Sequence, residues 1–167
     1  AIAAAAAQGI QVQAAFENEF YLATGTAENP QPFNNASCYS TAGLDRTSAV
    51  MNDMIDNLTA QGFIVEQAIN EYGPGQLELV IKYTDALAAA DQQLKFRDTV
   101  RGVVEMQHGL IASFAPKPFA DGIGSGAHIH LSLWKGGRNA FWDAARKTGS
   151  PLFRQFLGGL LKYSPEL

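Results

Sequence analysis

Hydrophobic positions along this chain change period several times, and each change marks an element. Ala1 to Ala7 is a run of small helix formers closed by Gly9, which predicts the end of an alanine-rich helix. Ile10 to Tyr21 carries Val12, Phe16, Phe20 and Tyr21, residues that favour extended backbone, and predicts a strand. Residues 24–43 have no period and are punctuated by Gly25, Asn29, Pro30, Pro32, Asn34 and Asn35, which predicts a loop. Met51, Met54, Ile55 and Leu58 then recur at helical spacing, with Asp45 as the expected N-cap and Gly62 as the stop. That stripe reads as core packing. Phe63-Ile64-Val65 opens another strand, a Gly73-Pro74-Gly75 turn reverses the chain, and Leu79-Val80-Ile81 continues the returning strand. The longest helix is expected from Asp85 to about Gln107, where good helix formers run without a glycine until Gly102. His108 reads as a helix-end or surface histidine. Leu110 to Phe114 predicts a short strand, and Lys135-Gly136-Gly137-Arg138 a tight polar turn. Ser150 and Pro151 begin a last helix as N-cap and first helical residue. Strands, hairpins and long helices interleaved in this order predict an α+β fold, a largely antiparallel curved sheet flanked by long helices.

Composition narrows the function classes. At 167 residues the chain is about one domain long, and 47% hydrophobic with 17% charged residues is the balance of a globular protein. A net charge of -4 argues against a nucleic-acid partner, which calls for a basic stripe. A single cysteine, Cys38, leaves no intrachain disulfide framework and suits a reducing, cytoplasmic setting. No apolar run approaches the ~20 residues that span a bilayer, so no membrane partner is expected. The alanine-rich start lacks the basic residues of a signal peptide and has no initiator Met, and the chain is expected to be a piece of a longer protein.

The candidate chemistry sits in three stretches. The first runs from Lys117 to Ser132: Gly122, Gly124 and Gly126 form a flexible loop whose amides can line up as an anion cradle, with Lys117 as a nearby point charge. Beyond that loop His128, His130 and Ser132 alternate with Ile129, Leu131 and Leu133, which puts the polar three on one face of a strand. In the second stretch Glu17 and Glu19 sit two apart on a strand, roughly 6.6 Å from each other, and repel unless a cation lies beside them. In the third, the turn after Glu71 can fold it onto the same patch as Glu78, while Glu66 falls within the preceding strand. Four carboxylates and one imidazole suit Mg²⁺ or Mn²⁺, and two such ions beside a glycine-rich loop equip a site for phosphoryl transfer.

Three blocks in this order resemble the glutamine synthetase family. Phe16-Glu17-Asn18-Glu19-Phe20 resembles its E-x-E-F strand, Glu71 to Glu78 its E-x(3)-G-Q-x-E block, and Lys117 to Ser132 its nucleotide signature K-P-x(4)-G-x-G-S-G-x-H-x-H-x-S. The likeness covers essentially the whole chain and implies a central fragment, residues 1–167, of a catalytic domain whose N-terminal β-rich domain and C-terminal part lie outside it. It implies that Glu19, Glu71 and Glu78 hold one metal at the glutamate and amine side, and that Glu17 and His128 hold a second at the ATP phosphates. Glu66, His130, Ser132 and Lys117 would serve ATP, and Gly124, Ser125 and Gly126 the amino-acid substrate. The implied reaction makes a γ-glutamyl amide from glutamate and ammonia or another amine through an acyl phosphate, in a homo-oligomeric, ring-shaped parent. The family's later arginines and flap glutamate are absent, so the fragment alone is not expected to turn over. Ile123 and Ile69 stand where family members often carry Asn and His, which leaves the amine open. Two rivals remain: a non-catalytic structural or regulatory relative, and a phosphotransferase resembling the guanidino kinases.

Overall fold

The computed structural model describes residues 1–166. In chain order the elements are α1 (Ile2–Ala6), β1 (Gln11–Gly25), β2 (Pro30–Pro32), α2 (Thr41–Ala60), β3 (Val65–Asn70), β4 (Gln76–Ile81) and β5 (Thr84–Asp85). They continue with α3 (Ala86–His108), β6 (Ile111–Ser113), β7 (Ala127–Lys135), β8 (Arg138–Asn139), β9 (Trp142–Asp143), β10 (Thr148–Gly149) and α4 (Pro151–Tyr163). The fold is α+β around a curled antiparallel sheet, as the residue pattern predicts. The described residues divide into two compact units, residues 15–130 and residues 1–14 with 131–166.

In the first unit β3, β4, β1 and β7 follow one another across the sheet. β1 and β4 run antiparallel with Glu19 opposite Glu78 and Tyr21 opposite Gln76. Because side chains alternate, one register sorts the whole face. Phe20, Leu22, Leu77, Leu79 and Ile81 turn to one side, where they pack on Val50, Met51, Met54 and Leu58 of α2 and on Phe96, Val100, Val103 and Val104 of α3. The methionine stripe is core, as expected. Glu17, Glu19 and Glu78 turn to the other side, away from the helices.

Several boundaries differ from the sequence reading, each for a local reason. α2 begins at Thr41, not at Asp45. Ser40 is the N-cap, its hydroxyl accepting from the Gly43 amide at 3.1 Å. Gly43 fits there because a β-carbon would strike the Asn70 side chain, and Asp45 lies one turn inside the helix. β1 runs on to Gly25, where Ala23 to Gly25 pair with Pro30 to Pro32, so the expected loop opens with a short hairpin. β3 starts at Val65 rather than Phe63. α3 begins one residue past the expected Asp85, which instead caps it, its carboxylate accepting from the Leu87 amide at 3.0 Å. It closes on Gly109 in the left-handed region. His108, the last residue of α3, lies 2.9 Å from the Asp53 carboxylate of α2.

In the second unit Gly136 and Gly137, both at positive φ, make the two-residue turn that joins β7 to β8. β9 pairs with β10. Ser150 and Pro151 open α4 as expected, with the Ser150 hydroxyl accepting from the Phe153 amide at 3.1 Å. Among the described residues no helix is long and apolar enough to cross a membrane.

Candidate active site

The polar side of the first unit's sheet forms the floor of a cavity of about 640 Å³. Glu17 and Glu19 of β1, Glu78 of β4 and Glu71 just past β3 line it together with His128 of β7 and Gly124, Ser125 and Gly126 of the glycine-rich loop. Residues separated by more than a hundred positions thus share one concavity.

Gln76 ties these parts together. It is 1% exposed. Its Nε2 donates to Glu19 Oε2 at 2.9 Å and to the Gly124 carbonyl at 3.0 Å, while its Oε1 accepts from the Gly73 amide at 2.9 Å. One amide side chain therefore braces the turn, the carboxylate and the loop. The loop is held twice more: Tyr21 Oη donates to the Ile123 carbonyl at 2.7 Å, and the Ser125 amide to the Pro116 carbonyl at 2.8 Å. The Gly126 amide donates to Glu19 Oε2 at 2.8 Å. A β-carbon on Gly126 would lie 2.9 Å from Glu19 Oε1 and 3.3 Å from His128 Nε2, so a side chain there would push the Glu19 carboxylate aside. On the same sheet face the Glu17 carboxylate meets two imidazoles, His128 Nδ1 at 3.2 Å and His130 Nε2 at 2.9 Å.

Electrostatically the cavity is short of positive charge. Burial, then Glu17, Glu71 and Glu19, push the Glu78 carboxyl up to about 7. Glu71 is raised by burial and by Glu19. Burial is the first cause for both, and the neighbouring like charges add to it. Four carboxylates and an imidazole are the donor chemistry of a hard divalent cation, and the fit is one of chemistry and placement. The oxygens themselves are spread: among the described residues no three His, Cys, Asp or Glu side chains are gathered closely enough to enclose a metal ion. Glu19 is turned to Gln76 and Gly126, and Glu17 to its imidazoles, so side-chain rotation on fixed strands separates this arrangement from a closed cage.

Not every sequence-predicted residue faces the cavity. Glu66 is exposed at a bulge between Val65 and Gln67, where the strand register slips, and Gln67 rather than Glu66 lines the cavity. Lys117 is exposed and outside the lining. Ser132 belongs to the second unit, where its hydroxyl accepts from Trp134 Nε1 at 3.0 Å. Sequence reasoning missed Gln76, Tyr39 and Tyr72. Gln76 lay inside the Glu71–Glu78 block without a role assigned to it. Tyr72 stands beside Glu71, whereas nothing in the aperiodic loop around Tyr39 singles it out.

A family profile described as glutamine synthetase, catalytic domain, matches residues 1–167. Glutamine synthetase of Thermus thermophilus is 39% identical over 152 residues, 89% of this chain and 34% of that protein. The γ-glutamylpolyamine synthetase GlnA3 of Streptomyces coelicolor is 35% identical over 167 residues, 98% of this chain and 36% of that protein. Among solved structures, GmaS in complex with ADP superposes with a TM-score of 0.88 at 34% identity, over 98% of this chain and 39% of that one. Glutamine synthetase of Plasmodium falciparum, at 21% identity and a TM-score of 0.82, covers 98% of this chain and 38% of that one and shares the fold. The chain spans about a third of the length of the curated relatives it matches.

Proposed function

The chain belongs to the glutamine synthetase family, matching its catalytic domain along all 167 residues, and we propose that the protein carrying it is an ATP-dependent carbon–nitrogen ligase. The observation that carries this reading is the meeting of Glu17, Glu19, Glu71, Glu78 and His128 on the walls of one cavity beside the glycine-rich loop. In this reading Glu19, Glu71 and Glu78 hold one Mg²⁺ or Mn²⁺ on the amino-acid side, and Glu17 and His128 hold a second on the nucleotide side. Bound cations supply the positive charge that lets one anion approach another during phosphoryl transfer. His130, Ser132, Glu66 and Lys117 serve ATP, and Gly124, Ser125 and Gly126 receive the amino-acid substrate.

The reaction has two halves. The γ-carboxylate of glutamate takes the terminal phosphate of ATP, leaving ADP and an acyl phosphate. An amine then displaces phosphate to give the γ-glutamyl amide. The contribution of this chain is placement: the paired β1 and β4 backbones fix where the carboxylates start, and Gln76 ties the loop to Glu19, so what remains on ligand arrival is side-chain rotation. The parent is read as a ring-shaped homo-oligomer in the cytoplasm, a setting to which the single cysteine is suited. The test is product analysis of the full-length protein with ATP, Mg²⁺, glutamate and either ammonium or an amine. The reading predicts ADP, phosphate and γ-glutamyl amide in equal amounts by mass spectrometry; ATP turnover without amide contradicts it.

A further inference from the structure

The rim of the cavity differs in character from its floor. Tyr39, Ile69, Tyr72 and Ile123 line it next to Glu71 and Glu78. Three of them are large hydrophobic residues left open to solvent: Tyr39 is 60% exposed, Tyr72 62% and Ile123 51%. Aromatic and aliphatic side chains that share one cavity with carboxylates suit a ligand carrying both a charge and a carbon chain. The two tyrosine rings meet edge to face with centroids 5.6 Å apart. Tyr39 is held at φ 54, a backbone region that bulky residues avoid. Its amide is tied to the Asn70 carbonyl at 3.1 Å, immediately before the Ser40 cap of α2. Strain kept at an exposed ring, outside the core, points to a positional demand at a working surface. Ring and carboxylate line the same cavity.

Aromatic faces beside a carboxylate attract an organic cation, and flanking aliphatic side chains give its carbon chain somewhere to lie. Bare ammonium has no carbon chain to set against Ile69 and Ile123. Building on the ligase reading above, we propose that the amine acceptor is a primary alkylamine. Its ammonium head lies toward Glu71 and its carbon chain lies among the Tyr39–Tyr72 pair, Ile69 and Ile123. In the second half-reaction the nitrogen lone pair forms the C–N bond as the acyl C–O bond breaks, and phosphate leaves with that electron pair. The nitrogen gives up two protons on the way from alkylammonium to amide, one to the departing phosphate and one to solvent.

The test measures steady-state kinetics of the full-length protein that carries this chain with ATP, Mg²⁺ and glutamate, offering ammonium, methylamine, propylamine, butylamine and 1,4-diaminobutane in turn. The expected result is a KM that falls about fourfold per added methylene across the short amines, with butylamine favoured over ammonium at least ~100-fold in kcat/KM. Tyr72→Ala raises the butylamine KM about tenfold and flattens the chain-length series, while Tyr72→Phe, which keeps the ring, restores both. Because Tyr72 is exposed, truncating it leaves the core intact. Preference for ammonium with normal amide formation overturns this proposal and leaves the ligase reading standing. ATP turnover that yields no amide with any of these amines overturns both.

Discussion

Glu78 offers the sharpest perturbation, because removing its charge should stabilise the fold while disabling the site. Its carboxyl is pushed from the ordinary 4.5 up to about 7 by burial and by the charges of Glu17, Glu71 and Glu19. Each tenfold change in proton affinity is worth about 1.4 kcal/mol, so holding Glu78 ionised in the folded protein costs about 3 kcal/mol. That figure is an upper bound, since the neighbouring carboxyls share the repulsion. The direction follows from which state binds the proton. Between pH 4.5 and 7 the folded protein keeps the proton that the unfolded chain has lost, so stability falls as pH rises through this window and the loss is complete above it. Glu78→Gln removes the effect. Urea unfolding in EDTA should show the variant more stable than the parent by about 2 to 3 kcal/mol at pH 8 and equal to it near pH 4.5. A variant that is equally or less stable at pH 8 would refute the reasoning, because the ionised Glu78 would then not be opposed by burial and by its neighbours' charge.

Other perturbations follow from the same geometry. In Gly126→Val the new side chain displaces the mobile end of Glu19, and the fold should persist while glutamate affinity drops about tenfold; unchanged binding by calorimetry would contradict this. Gly73→Ala would drive a methyl group into the buried Tyr21 phenol and break its bond to the Ile123 carbonyl. A loss of at least about 2 kcal/mol in urea unfolding is expected. Asn18 Nδ2 and Arg97 Nε are buried without a partner, and both residues line a second cavity of about 120 Å³ behind Glu19. A high-resolution crystal structure should find ordered water there, and a dry cavity would count against it.

Sequence pattern alone reaches far into this site where its period is unbroken. The alternation of Glu17, Glu19 and Phe20 along β1, and of Leu77, Glu78 and Leu79 along β4, assigns each residue to the helix side or the cavity side before any register is known. The Gly-Pro-Gly turn likewise announces that Glu71 and Glu78 meet the same concavity. Where the period breaks, the reading fails. At Glu66 a bulge adds a residue, so counting by two no longer tells which side chain faces inward. Ser40 overtakes Asp45 as helix cap because a close fit between Gly43 and Asn70, a contact 27 positions apart, decides where α2 can begin. The role of Gln76, a fixed letter of the matched block, is hidden for a related reason: it joins the turn, Glu19 and Gly124, and none of these partnerships leaves a mark on the residues beside it. Tyr39 owes its position to a strained turn inside an aperiodic loop.

Titration with Mn²⁺, followed by the loss of the free-ion electron paramagnetic signal, bears most directly on the central claim that four carboxylates and one imidazole act as a cation site. Two ions should bind per chain. Glu19→Ala combined with Glu78→Ala should remove one of them and leave the other on Glu17 and His128. Stoichiometry and affinity unchanged in that double variant would contradict the claim.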